Sequence, residues 1–135
     1  MTVYLVRHGE SDWNAAGIRH RRENRPLTTL GIEQAQKAAT MLPVNAVVLC
    51  SPLTRAYATA CIISSALRLE APRIALELTE REWGVPCDVA ARSAAHMLGQ
   101  WDGVDVIAVT HAGIIKGLTG SEVTPPNGSV TEWVS

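Results

Sequence analysis

Two histidines in this chain stand one and two positions before a glycine, in Arg7-His8-Gly9-Glu10 and in His111-Ala112-Gly113. Arg55 stands one helical turn beyond Cys50-Ser51-Pro52, and Glu80 and Glu82 precede Gly84. Residues of these types suit chemistry on an oxyanion. Guanidinium groups at 7 and 55 would hold a phosphoryl dianion through forked, charge-assisted hydrogen bonds worth ~1.5–3 kcal/mol each. Neutral imidazole is a competent nucleophile toward phosphorus, and nearby guanidinium charge keeps His8 neutral below its ordinary pKa of ~6.5. Gly9 would let the backbone come close to the anion. A helix N-terminus after His111 would add backbone donors. A carboxylic acid at 80 or 82, raised in pKa by the dianion, would protonate a leaving alcohol and contribute ~10²–10⁴ in rate.

These residues must be brought together by strands and helices. Residues 2–6, 46–50 and 105–110 are short apolar, largely β-branched runs, suited to parallel strands covered on both faces. Arg73–Leu78 reads as a weaker fourth strand and Ser129–Val134 as a fifth. Between them, Ile32, Ala35, Ala39 and Leu42 recur at helical spacing after an N-cap at Thr28 or Thr29. Leu53, Ala56, Ala60, Ile63 and Leu67 form a longer apolar face, with Ser51 as cap and Pro52 in the first helical position. A third helix is expected over 88–100 and a short fourth over Gly113–Leu118. Pro125-Pro126-Asn127-Gly128 reads as a turn. The fold class predicted is α/β, a three-layer sandwich with a mostly parallel central sheet flanked by helices. In such sheets ligands bind beyond the carboxyl ends of the strands, where this chain delivers Arg7, His8, Ser51, the acids at 80 and 82, and His111.

Composition narrows the rest. With 135 residues, 47% hydrophobic and 19% charged, the chain suits one domain with its own core and is too apolar for a disordered segment. A net charge of -1 argues against a general nucleic-acid binder. No apolar stretch approaches the ~18–20 residues of a membrane span, and Arg7, His8 and Glu10 interrupt any secretory pattern. The expectation is a cytoplasmic protein with no nucleic-acid or membrane partner; a homodimer is compatible with the sequence. There is no Phe, so the core must be aliphatic and alanine-rich. Cys50, Cys61 and Cys87 have no Cys-x-x-Cys spacing and read as reduced, packed thiols. Cys50 to Arg55 and Cys87 to Arg92 each fall one residue short of a Cys-x₅-Arg phosphatase loop. A nucleotide-binding Gly-x₄-Gly-Lys loop and an Asp-x-Asp start are absent.

Five blocks then make the chain recognisable: Leu5-Val6-Arg7-His8-Gly9-Glu10-Ser11-Asp12-Trp13-Asn14; Pro26-Leu27-Thr28 with Gly31, Gln34 and Ala35; Ser51-Pro52-Leu53-Thr54-Arg55-Ala56 with Thr59-Ala60; Leu78-Thr79-Glu80 with Trp83-Gly84; and Val109-Thr110-His111-Ala112-Gly113. In this order they resemble the histidine phosphatase superfamily, also called phosphoglycerate mutase-like, from residue 2 to about 119. The resemblance implies a single histidine-phosphatase-like domain over 1–135 that hydrolyses a small phosphorylated substrate. It implies that His8 forms a phosphohistidine, that Arg7, Arg55 and His111 complete the phosphate pocket, that Glu80 rather than Glu82 is the general acid, and that Asn14 lines the site. It implies no metal or organic cofactor.

The chain departs from the family pattern at Arg21 and Asn24, where a glycine and an acidic residue are common, and at Val85-Pro86-Cys87-Asp88. Only 30 residues lie between Glu80 and His111, in a segment that usually builds a lid. A short lid favours hydrolysis over mutase chemistry, which must shield a phosphoenzyme from water. A phosphohistidine (phosphoprotein) phosphatase is the runner-up, then a phosphoglycerate mutase, then a noncatalytic phosphate-binding module. Arg21 and Arg22, in the basic run 19–25, are expected to meet a second anionic group on the substrate, and Trp83, with Trp13, to wall the pocket. His20 and His96 read as surface residues.

Overall fold

The computed structural model describes residues 2–19 and 22–134. Five strands form one sheet in the order β3-β2-β4-β1-β5. They are β1 (Val3–Arg7), β2 (Ala46–Cys50), β3 (Arg73–Ile74), β4 (Asp105–Thr110) and β5 (Val130–Trp133). All neighbours are parallel except β1 and β5. The α/β class and the mostly parallel sheet are therefore as the hydrophobic runs predict, because strands buried on both faces carry apolar residues at every position.

Side-chain alternation divides those runs between two cores. Val3 and Leu5 of β1, Leu49 of β2 and Val106 and Ala108 of β4 point to one face. They pack on Leu78 and on helices α5 (Arg92–Gly99) and α6 (Ala112–Thr119), through Ala94, Leu98, Ile114 and Ile115. Val6, Val48, Cys50, Ile107 and Val109 point to the other face. There they meet α2 (Thr29–Ala39) and α3 (Thr54–Leu67) through Ala38, Ala39, Ala56, Ala60 and Ile63. Small alanines let both helices lie close to the sheet in a core without phenylalanine.

Several boundaries differ from expectation for local reasons. Thr28 caps α2, its Oγ1 accepting from Gly31 N at 3.0 Å, but Ile32 faces solvent and Gly31, Ala35, Ala38 and Ala39 form the buried stripe. Helix α3 starts at Thr54, so neither Ser51 nor Pro52 serves as the cap or first turn. The 73–78 segment pairs over two residues only. After Ala75 N bonds Cys50 O at 2.9 Å, the chain closes a 3₁₀ turn over Leu76–Leu78, which buries Leu78 and exposes Leu76. The expected 88–100 helix is broken into α4 (Cys87–Ala90) and α5. A short helix α1 (Asp12–Ala15), not expected from hydrophobic spacing, is held by a reciprocal cap between Ser11 and Asn14.

Register places the site. Arg7 lies opposite Thr110, and Cys50 opposite Val109, so β1, β2 and β4 end at one edge and release His8, Ser51 and His111 there. Thr110 Oγ1 donates to Leu78 O at 2.7 Å and ties the 3₁₀ turn, and Glu80 after it, to the same edge. The loop carrying His8 is pressed against α2. A Cβ on Gly9 would stand 2.3 Å from Gly31 O, and one on Gly31 would stand 2.1 Å from Glu10 O. Backbone cannot yield as a flexible side chain does, so Gly31→Ala should lower the stability measured by urea unfolding by about 2–3 kcal/mol. An unchanged unfolding midpoint would contradict this packing.

Candidate active site

His8 leaves the end of β1 with a ring only 3% exposed. Its Nδ1 is 2.7 Å from Gly9 O, and a carbonyl can only accept, so Nδ1 carries the proton and donates. Arg55 Nε donates to Nε2 at 3.3 Å, which needs a lone pair there. Both contacts select the same tautomer, with Nε2 as the basic atom. Arg55 is buried at the start of α3 and is steadied by Nη1 donating to Glu23 O at 2.7 Å. Thr59, one turn along α3, accepts from Gly9 N at 3.0 Å and donates to Arg55 O at 2.8 Å, so one hydroxyl joins the histidine loop to the arginine helix.

Arg7 Nη1 donates to Pro125 O at 2.8 Å. Asn127 Nδ2 donates to His8 O at 3.2 Å and to Asn14 Oδ1 at 3.3 Å. Asn14 Oδ1 also accepts from Ser11 N at 3.0 Å, so any anion that Asn14 meets is met by its Nδ2–H. His111 is fully buried, and its ring lies 5.1 Å from that of His8 between centroids, with Nε2 2.8 Å from Ser51 Oγ.

Arg7, His8, Asn14, Arg55, Glu80 and Ala112 share the lining of one cavity of about 290 Å³, whereas His111 is fully buried beside it and is not part of that lining. Glu80 is 7% exposed, with Oε1 accepting from Arg81 N at 2.9 Å. A Cβ on Gly113 would come within 2.6 Å of that oxygen, so glycine at 113 makes room for the acid. Burial lowers the pKa of Arg7 against the opposing pull of Glu80. Arg55 is pushed down to about 10, chiefly by burial and also by Arg7, while Glu80 and Glu23 pull it upward. Both guanidinium groups therefore stay cationic near neutral pH.

Other expected residues stand elsewhere. Gly9 is buried against Gly31 rather than exposed to the cavity, so its role is to let α2 approach. Arg22 does not line the cavity; its Nε donates to Glu80 O at 3.2 Å and its Nη1 lies 3.6 Å from Glu82. Trp83 is 57% exposed, in a shallow surface depression with Arg22, Glu23 and Glu82. Trp13 lies beneath Arg25, which forks onto Asp12 at 2.6 and 3.0 Å. Arg21 and His20 lie outside the described residues, and His96 is exposed. The three cysteines are free, and burial raises the Cys50 thiol to about 12, so it is not a thiolate. Sequence reasoning brought Ser51 to this edge but as a helix cap, and it missed Thr59 and Asn127 as positioning groups. A hydroxyl on the buried face of a helix was the signal available for Thr59.

Arg55 titrates below its ordinary value, so the folded protein loses this proton before the unfolded chain does. The burial cost is present in full below pH about 10 and is relieved as pH rises above it. Inorganic phosphate is a dianion on both sides of that midpoint. Its affinity, measured by calorimetry, should hold to about pH 9 and fall through pH about 10, with that break absent in Arg55→Gln. Ser51→Ala, which removes one partner of His111, should weaken phosphate binding about fivefold or more. A phosphate affinity insensitive to both would contradict this geometry.

The sequence pattern of the histidine phosphatase superfamily (branch 1) matches residues 3–88. A probable phosphoglycerate mutase, GpmB, of Proteus mirabilis is 39% identical over 72 residues, 52% of this chain and 34% of that protein. The adenosylcobalamin/alpha-ribazole phosphatase of Escherichia coli is 41% identical over 86 residues, 62% of this chain and 42% of that protein. The matched segments thus span about two fifths or less of these relatives. The crystal structure of an Entamoeba histolytica phosphoserine phosphatase in complex with 3-phosphoglyceric acid superposes with a TM-score of 0.84 at 20% identity. That superposition covers 98% of this chain and 90% of the other, and shows a shared fold. On its matched segment and its architecture, this chain belongs to the histidine phosphatase superfamily.

Proposed function

We propose that the protein is a phosphomonoester hydrolase acting on a small phosphorylated metabolite through a phosphohistidine on His8. The observation that carries this reading is the tautomer of His8, whose Nε2 lone pair meets Arg55 in a cavity shared with Arg7 and Glu80. Relatives named as phosphatases support it.

In the first step Nε2 attacks phosphorus in line with the ester oxygen. The N–P bond forms, the P–O bond breaks, and Glu80, entering as the acid, gives its proton to the departing alcohol. Arg7, Arg55, His111 and Asn14 hold the phosphoryl oxygens as charge shifts onto them. The Gly9 carbonyl stabilises the Nδ1–H as the ring becomes cationic, which lowers the barrier without a second proton transfer. In the second step Glu80, now a carboxylate, takes a proton from water as the water oxygen attacks phosphorus and the N–P bond breaks. Imidazole, phosphate and protonated Glu80 are regenerated.

Hydrolysis is preferred to mutase transfer because only 30 residues separate Glu80 from His111, too short a segment for a large lid that would shield the phosphoenzyme. Glu80 favours ester over phosphohistidine substrates, since a phosphoramidate needs less help from an acid. Two further proposals complete the reading: residues 1–135 act as one domain, and the site needs neither metal nor organic cofactor.

Mixing with a ³²P-labelled phosphomonoester and quenching in alkali should trap acid-labile label on His8, absent in His8→Ala. Glu80→Gln should lower kcat by about 10²–10⁴ for an alkyl phosphate, and by less for 4-nitrophenyl phosphate, whose leaving group needs no acid. Undiminished turnover in His8→Ala would refute the mechanism. Activity on phosphohistidine peptides that survives Glu80→Gln, with none on esters, would replace it by the phosphoprotein reading.

A further inference from the structure

Glu80 sits in a stretch without regular structure, between the 3₁₀ turn over Leu76–Leu78 and helix α4. A carboxyl group on such a stretch serves chemistry only if its backbone is held still. The peptide unit joining Glu80 to Arg81 is engaged at both ends. Its carbonyl, Glu80 O, accepts from Arg22 Nε at 3.2 Å. Its amide, Arg81 N, donates to Glu80 Oε1 at 2.9 Å. A trans peptide is planar, with its C=O and N–H pointing in opposite directions. Holding the carbonyl from the Arg22 side therefore aims the N–H at the carboxyl oxygen.

Arg22 is itself held in place. Its Nη1 lies 3.6 Å from Glu82 Oε1, and both side chains are more than half exposed, so the pair orients the guanidinium and adds little stability. The three residues that follow are tied to other elements. Glu23 O accepts from Arg55 Nη1 at 2.7 Å, Asn24 Oδ1 accepts from Thr54 N at 2.9 Å, and Arg25 forks onto Asp12. Residues 22–25 do not line the cavity, yet they brace the acid segment, the start of α3 and α1 against one another. Arg22 is the member of that brace that reaches the acid.

We propose that Arg22 is a positioning residue for acid–base catalysis by Glu80. Through the Glu80–Arg81 peptide it keeps Oε1 as the accepting oxygen of the carboxyl group and leaves Oε2 to carry the proton. In the first step the Oε2–H bond breaks as its hydrogen joins the departing alcohol oxygen. In the second, Oε2 takes a proton from the attacking water. Glu82 serves as the anchor of Arg22 rather than as an alternative acid. The proposal rests on the reading of Glu80 as the acid, and it gives Arg22 a part that needs no contact with substrate.

A pair of substrates isolates the acid step. In Arg22→Ala, kcat/KM for an alkyl phosphate should fall about tenfold or more, because a displaced acid meets the leaving oxygen poorly. For 4-nitrophenyl phosphate, whose leaving group needs no acid, the fall should be less than about twofold. Glu82→Gln, at an exposed position, should lower the alkyl-to-aryl ratio in the same direction by a smaller factor, and it carries the test if Arg22→Ala loses structure. In a Glu80→Gln background, Arg22→Ala should cost less than about twofold more on the alkyl ester, since a residue that acts through the acid has nothing left to position. An alkyl-to-aryl ratio unchanged in both single variants, or a full tenfold loss added to that of Glu80→Gln, would overturn the proposal. If Glu80→Gln itself slowed both esters equally, the acid reading of Glu80 would fall, and this one with it.

Discussion

The arrangement depends on the hydrogen bond from His8 Nδ1 to the carbonyl of its own neighbour, Gly9. That bond decides which nitrogen carries the proton, and therefore which nitrogen can attack. It requires the Gly9 peptide to be fixed, and the fixing is done from both sides. Gly31 of α2 packs directly on the loop backbone, and Thr59 of α3 accepts from the Gly9 amide. Both helices that cover one face of the sheet thus converge on a single peptide unit, and the glycine pair is the steric condition that allows it.

Burying Arg55 beside that ring carries a desolvation cost, visible in its depressed pKa. The cost is offset by the Glu23 carbonyl, the His8 lone pair and the negative charge of Glu80, so the guanidinium remains charged and oriented before any ligand arrives. Such preorganisation is where an anion site gains over water, because the donors need not reorient as charge develops on the phosphoryl oxygens. Arg7 serves the same end on the opposite side, tied to the loop at Pro125. Asn127 couples that loop to the His8 carbonyl and to Asn14. Elements distant in sequence are joined by a few polar bonds at one sheet edge.

Much of this was legible in the residues. Three apolar runs with β-branched content could only be buried strands, and residues following strand ends in such a sheet must meet at one edge, which located His8, Ser51 and His111. Glu80 was harder, since spacing alone left Glu82 equal to it. What separates them is the Thr110 bond to Leu78, a contact across 32 positions that no local pattern encodes. The 73–78 segment misled because Ile74, Leu76 and Leu78 alternate as a strand does, whereas the 3₁₀ turn buries Leu78 and leaves Ile74 and Leu76 exposed. Gly9 misled differently: a glycine beside an anion site suggests close approach to ligand, and here it serves close approach of backbone to backbone. The basic run 19–25 suggested substrate contacts through Arg21 and Arg22; it is Arg19 that lines the cavity, while Arg25 pairs with Asp12 and Arg22 with Glu82.

The tautomer of His8 in the resting protein is the most direct test. Long-range ¹H–¹⁵N correlation of the imidazole at neutral pH should give a protonated, pyrrole-type Nδ1 and an unprotonated, pyridine-type Nε2 for His8, with the pattern absent in His8→Ala. A proton on Nε2 of the neutral ring, or rapid averaging between the two nitrogens, would mean that the Gly9 carbonyl does not hold the ring, and the account of the site would fail with it.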